Sequence, residues 1–258
     1  MEIINFSLIS LLVIFVFMNL FFLISILLRR NDIADSAWGI GFIVISLFNL
    51  FASNHLQQTK IILTTLVILW GIRLTSYITL RNWSKNEDYR YKEWKEKWGK
   101  NILLKSYLQV FLLQGLFMFL VSLPITLYNR FDGGVMFYSF IGLLVWVLGF
   151  YFETVGDLQM FFFKKDPKNK GKIMDQGLWQ YTRHPNYFGE VTMWWGIWIL
   201  TLGSTYWYIG IIGPLTISYL LLKVSGIPML EKKYEGNKEF EKYKSKTSAF
   251  IPWFTKNS

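Results

Sequence analysis

Residues 3–28, IINFSLISLLVIFVFMNLFFLISILL, run without one ionisable side chain. A helix rises about 1.5 Å per residue, so this stretch is long enough to cross the roughly 30 Å hydrocarbon core of a bilayer. It exceeds a signal-peptide core and has neither a basic leader nor a small-residue cleavage pattern, and so reads as a spanning helix. Six further apolar segments follow, at about 33–52, 61–80, 103–128, 135–157, 187–202 and 206–224, the one at 187–202 being the shortest. Composition agrees: 53% of the 258 residues are hydrophobic and 19% aromatic, gathered in long blocks. The expected fold class is an all-α integral membrane protein, a bundle of seven transmembrane helices forming a single domain over residues 1–258.

The net charge of +10 would suit a nucleic-acid partner, but the 27 Lys and Arg residues alternate by loop. Arg29 and Arg30 follow the first segment, and the other basic clusters fill residues 81–105, 164–183 and 223 onward. The intervening connections carry only Lys60 and Arg130, and Arg73 lies within a segment. Basic loops stay cytoplasmic, so the N-terminus is expected outside and the C-terminus in the cytosol, with cytosolic loops at about 81–105 and 158–185 and a tail at 225–258. Most of these charges then serve anionic lipid headgroups, and no nucleic-acid partner is expected. The localisation is multi-pass, in a bacterial inner or endoplasmic-reticulum-type membrane. Without cysteine there is no disulfide framework and no thiolate chemistry.

The first loop, RNWSKNEDYRYKEWKEKWGK (81–100), mixes acids, lysines and tryptophans as an amphipathic interfacial helix does. The second, KKDPKNKGKIMDQGLW (164–179), is broken by Pro167, Gly171 and Gly177 and predicts an irregular ordered loop. It leads into GLWQYTRHPNYFGE (177–190) at the mouth of an apolar helix. Pro185 suits a helix first turn, so the peptide N–H groups after it are unpaired at the positive dipole end, with Arg183 and His184 alongside. That pattern suits an anionic ligand, with Tyr187 at the same mouth. Asn186 and Glu190, four apart, share a face and could grip ribose, amide or amine groups. His55 lies in an outer loop and no cysteine exists, so no metal site is expected around His184.

Ionisable residues within spanning segments are costly and need partners or a wet cavity. Asp35, Arg73, Glu153, Asp157 and Glu190 all fall in the half expected to face the cytosol, and Glu153, Asp157 and Lys164 follow one helical face. Opposite charges converging there fit a cofactor cavity, with interhelical salt bridges as the plainer reading. Trp38, beside Asp35 in DSAWG, is a candidate for lining a substrate pocket, whereas Trp194, Trp195 and Trp198 read as belt or packing residues.

Through ADSAWG, WGIRLTSYITLRN, EDYRY, FFFKKDPKNKGKIMDQGLWQYTRHPNYFGE, SGIPMLE and FEKYKSKTSAFIPWF, the chain resembles the steroid 5α-reductase superfamily of membrane reductases. The closest likeness is to its bacterial branch of unassigned substrate. The resemblance implies a seven-helix fold and NADPH as the reductant of a carbon–carbon double bond. It also implies that Asn186 and Glu190 of the Asn-Tyr-x-Gly-Glu element bind the cofactor, with Asp157 and Lys164 holding the nucleotide. Arg73 and Tyr77 resemble a cofactor-contacting pair, and Glu231 the acidic residue before the C-terminal helix. Trp70 stands where steroid reductases place a tyrosine, and the second helix offers Asp35 rather than a matching glutamate.

The expected activity is hydride transfer from NADPH to a steroid-like or other unsaturated lipid entering from the bilayer. Arg183, His184, Lys164 and Lys172, with Asn169 in the same loop, would meet the phosphates. Asp35 or Tyr77 would supply the proton, and Asp35, Trp38 and Trp70 would meet the substrate. The main rival is an S-adenosylmethionine-dependent methyltransferase of the isoprenylcysteine carboxyl or phospholipid type, which shares the Arg-His-Pro-x-Tyr-x-Gly element. A lipid-binding protein without catalysis is the third class.

Overall fold

The computed structural model describes residues 2–53, 55–82, 86–130 and 137–255. Their regular structure is helical: α1 (Glu2–Leu28), α2 (Ile33–Phe51), α3 (Gln58–Asn82), α4 (Tyr89–Trp98), α5 (Ile102–Ser106), α6 (Leu113–Arg130), α7 (Phe137–Lys165), α8 (Pro185–Leu200), α9 (Trp207–Gly210), α10 (Ile212–Tyr219), α11 (Ile227–Lys232) and α12 (Lys238–Lys246). π-helical turns at Tyr107–Leu112 and Leu220–Val224 lead into α6 and out of α10. No strand occurs among the described residues, where Thr182 and Ser248 form an isolated parallel bridge.

Among the described residues, six stretches are long and apolar enough to cross a membrane: Ile4–Leu28, Ile33–Phe51, Gln58–Asn82, Tyr89–Arg130, Phe137–Lys165 and Trp207–Lys232. They cover six of the seven expected segments. The segment expected at 187–202 is α8, whose 16 residues reach only about 24 Å. Helix begins at Tyr89, well before the expected fourth segment, and α7 runs on to Lys165, so the second loop starts at Asp166 rather than at 158. Residues 83–85 of the first loop, and the expected start of the fifth segment at 135, lie outside the described residues.

The chain divides into two compact units, Met1–Met136 with Thr201–Gly213 and Phe137–Leu200 with Pro214–Ser258. In the first, α1, α2 and α6 are tied by a buried polar relay. Ser10 Oγ donates to Asn49 Oδ1 at 2.9 Å, and Asn49 Nδ2 donates to Thr126 Oγ1 at 2.9 Å. Such bonds satisfy groups that hydrocarbon cannot. The helix α1 ends on Arg29, whose φ of 55° lies in the left-handed region, a conformation costing a non-glycine residue roughly 1–2 kcal/mol. The Arg30 N–H closes this end on Ser25 O at 3.0 Å.

In the second unit, small residues let α7 and α8 approach backbone to backbone. A Cβ on Gly149 would lie 2.4 Å from Met193 N, and one on Gly189 would lie 2.3 Å from Glu153 N. Gly142 faces Gly196 in the same way, a Cβ on either coming within 2.8 Å of the other's carbonyl oxygen. Glycines seven apart keep returning to one helix face, so the contact forms a seam. Its far end is Gly156, where a Cβ would sit 3.1 Å from Asn186 N. This seam sets Asp157 against the start of α8.

Candidate functional site

The second unit gathers its polar residues at the first turn of α8. Asn186 Nδ2 donates to Asp157 Oδ1 at 3.1 Å. The Asn186 Oδ1 is buried and has no hydrogen-bond partner among the described residues. Asp157 itself is 6% exposed. Trp179 braces the junction from the preceding loop, its Nε1 donating to Gly156 O at 3.0 Å. Gly177, at φ 60°, turns the chain where a side chain would strike Gln159, whose Oε1 accepts from Leu178 N at 3.0 Å.

His184 immediately precedes α8 and is 4% exposed. Its Nε2 lies 3.1 Å from Glu231 Oε1, and a carboxylate accepting from Arg183 as well can only accept, so Nε2 carries the proton. The Nδ1 is therefore a bare acceptor, buried and without a hydrogen-bond partner among the described residues. Burial holds the imidazole below its ordinary value, and Glu231, which pulls the other way, does not overcome it. His184 is thus neutral at pH 7 and stacks on Tyr187 with centroids 5.5 Å apart.

Arg183 serves the tail. Its Nε donates to Glu231 Oε1 at 2.8 Å, and its Nη1 to Lys244 O at 3.2 Å and Thr247 O at 2.5 Å, the free carbonyls at the end of α12. A cation at a helix C-terminus is also favoured by the dipole. The Arg183 N–H donates to Ser248 O at 2.9 Å, Thr182 Oγ1 to Phe250 O at 2.9 Å, and Trp253 N to Tyr181 O at 2.9 Å. Tyr243 donates to Trp179 O, and its hydroxyl is raised above the ordinary range by burial. The segment 181–184 is therefore strapped to 243–253, an arrangement of Arg183 that spacing alone does not disclose.

Of the remaining expected residues in this unit, Glu190 is buried on α8, Lys164 is exposed near the end of α7, and Lys172 is exposed in the loop. Asn169 fixes that loop by donating from Nδ2 to Phe163 O at 3.1 Å. Among the described residues no three His, Asp or Glu side chains come together as metal ligands.

Asp35, Trp38, Trp70, Arg73 and Tyr77 belong to the first unit. Both oxygens of Asp35 are engaged: Oδ1 accepts from Tyr91 Oη at 2.6 Å and Oδ2 from Arg90 Nη2 at 2.9 Å. Arg90 also pairs with Asp88 at 3.0 Å, and Gln114 Nε2 donates to the Tyr91 hydroxyl at 3.4 Å. The amphipathic α4 is thus joined to α2 through its charges. Arg90, Tyr91 and Gln114 were not among the expected site residues; the quoted EDYRY contains two of them, but nothing local ties it to Asp35. Trp38 and Trp70 flank Phe42 edge-on at 5.2 and 5.3 Å, with Trp70 fully buried. On α3, Arg73 and Tyr77 are half-buried one turn apart, and the Arg81 guanidinium lies 5.7 Å from the Tyr77 ring centroid.

These features define a multi-pass, all-helical membrane protein with a buried polar cluster at the start of α8. A family model described as "Protein of unknown function (DUF1295)" matches residues 21–247, and the chain belongs to that family, which is associated with steroid 5α-reductase-like proteins. Comparison with curated proteins and with solved structures returned no match.

Proposed function

We propose that the protein is an NADPH-dependent membrane reductase acting on a carbon–carbon double bond of a steroid-like or other unsaturated lipid. The observation that carries this reading is the pair of buried, unpartnered acceptors at the start of α8, His184 Nδ1 and Asn186 Oδ1. Buried acceptors without partners are costly, and a ligand bearing N–H or O–H donors relieves them. A nucleotide offers such donors on its ribose and amide groups, together with phosphates for which Lys164 and Lys172 supply charge. When bound, NADPH supplies the hydride.

The chain's own residues have three tasks. Asp157 holds the Asn186 Nδ2, which turns the amide oxygen away from the carboxylate and leaves it open to a ligand donor, and Glu190 adds a carboxylate one turn further along α8. Arg183 positions rather than neutralises, holding Glu231 and the tail so that His184 keeps its tautomer. Within the first unit, Tyr91 donates its hydrogen to Asp35, and by their own chemistry this pair or Tyr77 could serve as a proton source. In this reading α8 is a short seventh crossing, and the alternation of basic loops favours an outer N-terminus, a cytosolic C-terminus and a cytosolic start of α8.

The second reading is an S-adenosylmethionine-dependent methyltransferase, and one observation favours it: with Arg183 engaged by Glu231 and the tail, two bare acceptors also suit the ammonium of a methionine moiety. Mass spectrometry of small molecules retained by the purified protein separates the two. NADP(H) supports the reductase; S-adenosylmethionine or its demethylated product supports the methyltransferase.

A further inference from the structure

Beyond the α8 cluster, the first unit holds a cavity of about 270 Å³ at the end of α1, lined by Phe22, Ile26, Arg29, Lys95, Leu103 and Ser106 among others. We propose that this cavity binds the headgroup of an anionic phospholipid, with the Arg29 guanidinium as its phosphate ligand. One wall is apolar and continues onto membrane-type surface, where Leu23, Leu27 and Leu103 are 55, 82 and 60% exposed. Acyl chains lying along that surface lead a headgroup to the cavity.

The polar groups of the rim select its charge. Lys95 is offset by Glu87, with Nζ 2.7 Å from Oε1, and it also donates to Arg29 O at 3.0 Å. Glu87 further accepts from Asn31 N at 2.6 Å. Asp32 is occupied by Arg30 at 2.8 Å and by the Asp88 N–H at 3.1 Å. Both nearby carboxylates are thus paired and offer nothing to the ammonium of a zwitterionic lipid. Among the described residues, the Arg29 guanidinium makes no hydrogen bond or ion pair. Ser106 Oγ accepts from Asn31 Nδ2 at 2.7 Å, which leaves its own proton to point elsewhere. A net positive charge with donors and no open carboxylate fits a phosphodiester monoanion.

Arg29 is also the described non-glycine residue with positive φ. Glycine or asparagine would hold that helix end more cheaply, so the arginine is kept at a cost to the backbone. This separates binding from folding in a test. Thermal unfolding of the full chain in neutral detergent is followed with short-chain phosphatidylglycerol, phosphatidylcholine or inorganic phosphate added. Phosphatidylglycerol alone should raise the melting temperature saturably. Arg29→Gly, which takes the left-handed turn without penalty, should melt no lower than wild type without lipid. It should need about tenfold or more phosphatidylglycerol for the same shift, the scale of one charge-assisted hydrogen bond. Lys165→Ala, an equal charge change on α7, should respond as wild type. An equal response to phosphatidylcholine, a full shift from inorganic phosphate, or an unaltered titration of Arg29→Gly overturns the proposal.

Discussion

Asn186 gives its amide hydrogen to Asp157 across 3.1 Å and keeps its own carbonyl oxygen buried, without a hydrogen-bond partner among the described residues. One side chain thus satisfies a buried carboxylate on α7 and presents an acceptor at the start of α8. Asn186→Ala removes both functions. It should cost about 1–3 kcal/mol of stability through the donor lost to Asp157, and should abolish the NADPH response while the protein stays folded. Glu190→Ala should weaken the same response; unchanged affinity in both variants, read by NADPH fluorescence, would sink the site assignment.

The glycine seam predicts a large effect from one methyl group. Gly149→Ala places a Cβ 2.4 Å from the backbone nitrogen of Met193, which cannot rotate aside. The helices α7 and α8 must separate, at a cost of about 1–3 kcal/mol, and the Asp157–Asn186 bond should loosen with them. Leu148→Ala, at a half-exposed neighbour, is the control and should melt close to wild type.

Arg183→Lys keeps the charge but not the fork. An ammonium cannot serve Glu231 and the carbonyls of Lys244 and Thr247 in the same geometry. The tail beyond α12 should release, and limited proteolysis after Lys244 or Lys246 should accelerate several-fold relative to wild type. A tail as protected as before would show that the strap rests on Tyr243 and Thr182 instead.

His184 sets a pH dependence. Burial depresses its folded value below the ordinary one, so the unfolded chain takes up a proton first as pH falls through about 6.5. The contribution is complete above that value and is lost as pH falls towards the depressed folded value. His184→Gln, which does not titrate, should flatten the melting-temperature profile between about pH 7.5 and about pH 5.5. A variant profile as steep as wild type would assign the slope to other groups.

The spanning helices were legible because a long apolar run has few alternatives: residues 3–28 cross a bilayer or leave their surface in water. The start of α8 was legible from Pro185, which suits a helix first turn and does open α8. Its length was not, since the apolar run past Leu200 conceals where the helix ends. The role of Arg183 was hidden because its partners lie 48 to 64 residues away, and no local spacing records a tertiary bond. The same holds for Asp35, whose partners Arg90 and Tyr91 belong to a loop helix more than fifty positions distant. The seam could have been found: Gly142, Gly149 and Gly156, with Gly189 and Gly196, repeat every seven positions.

Whether the start of α8 grips NADPH is decided by thermal-shift titration of detergent-solubilised wild type and Asn186→Ala with NADPH, NADH and S-adenosylmethionine. A ligand that binds only the folded state stabilises it by an amount set by its concentration over its dissociation constant, so the three are comparable. NADPH should give a saturable rise in melting temperature that Asn186→Ala loses. Selective stabilisation by S-adenosylmethionine, or an NADPH response indifferent to Asn186, would contradict it.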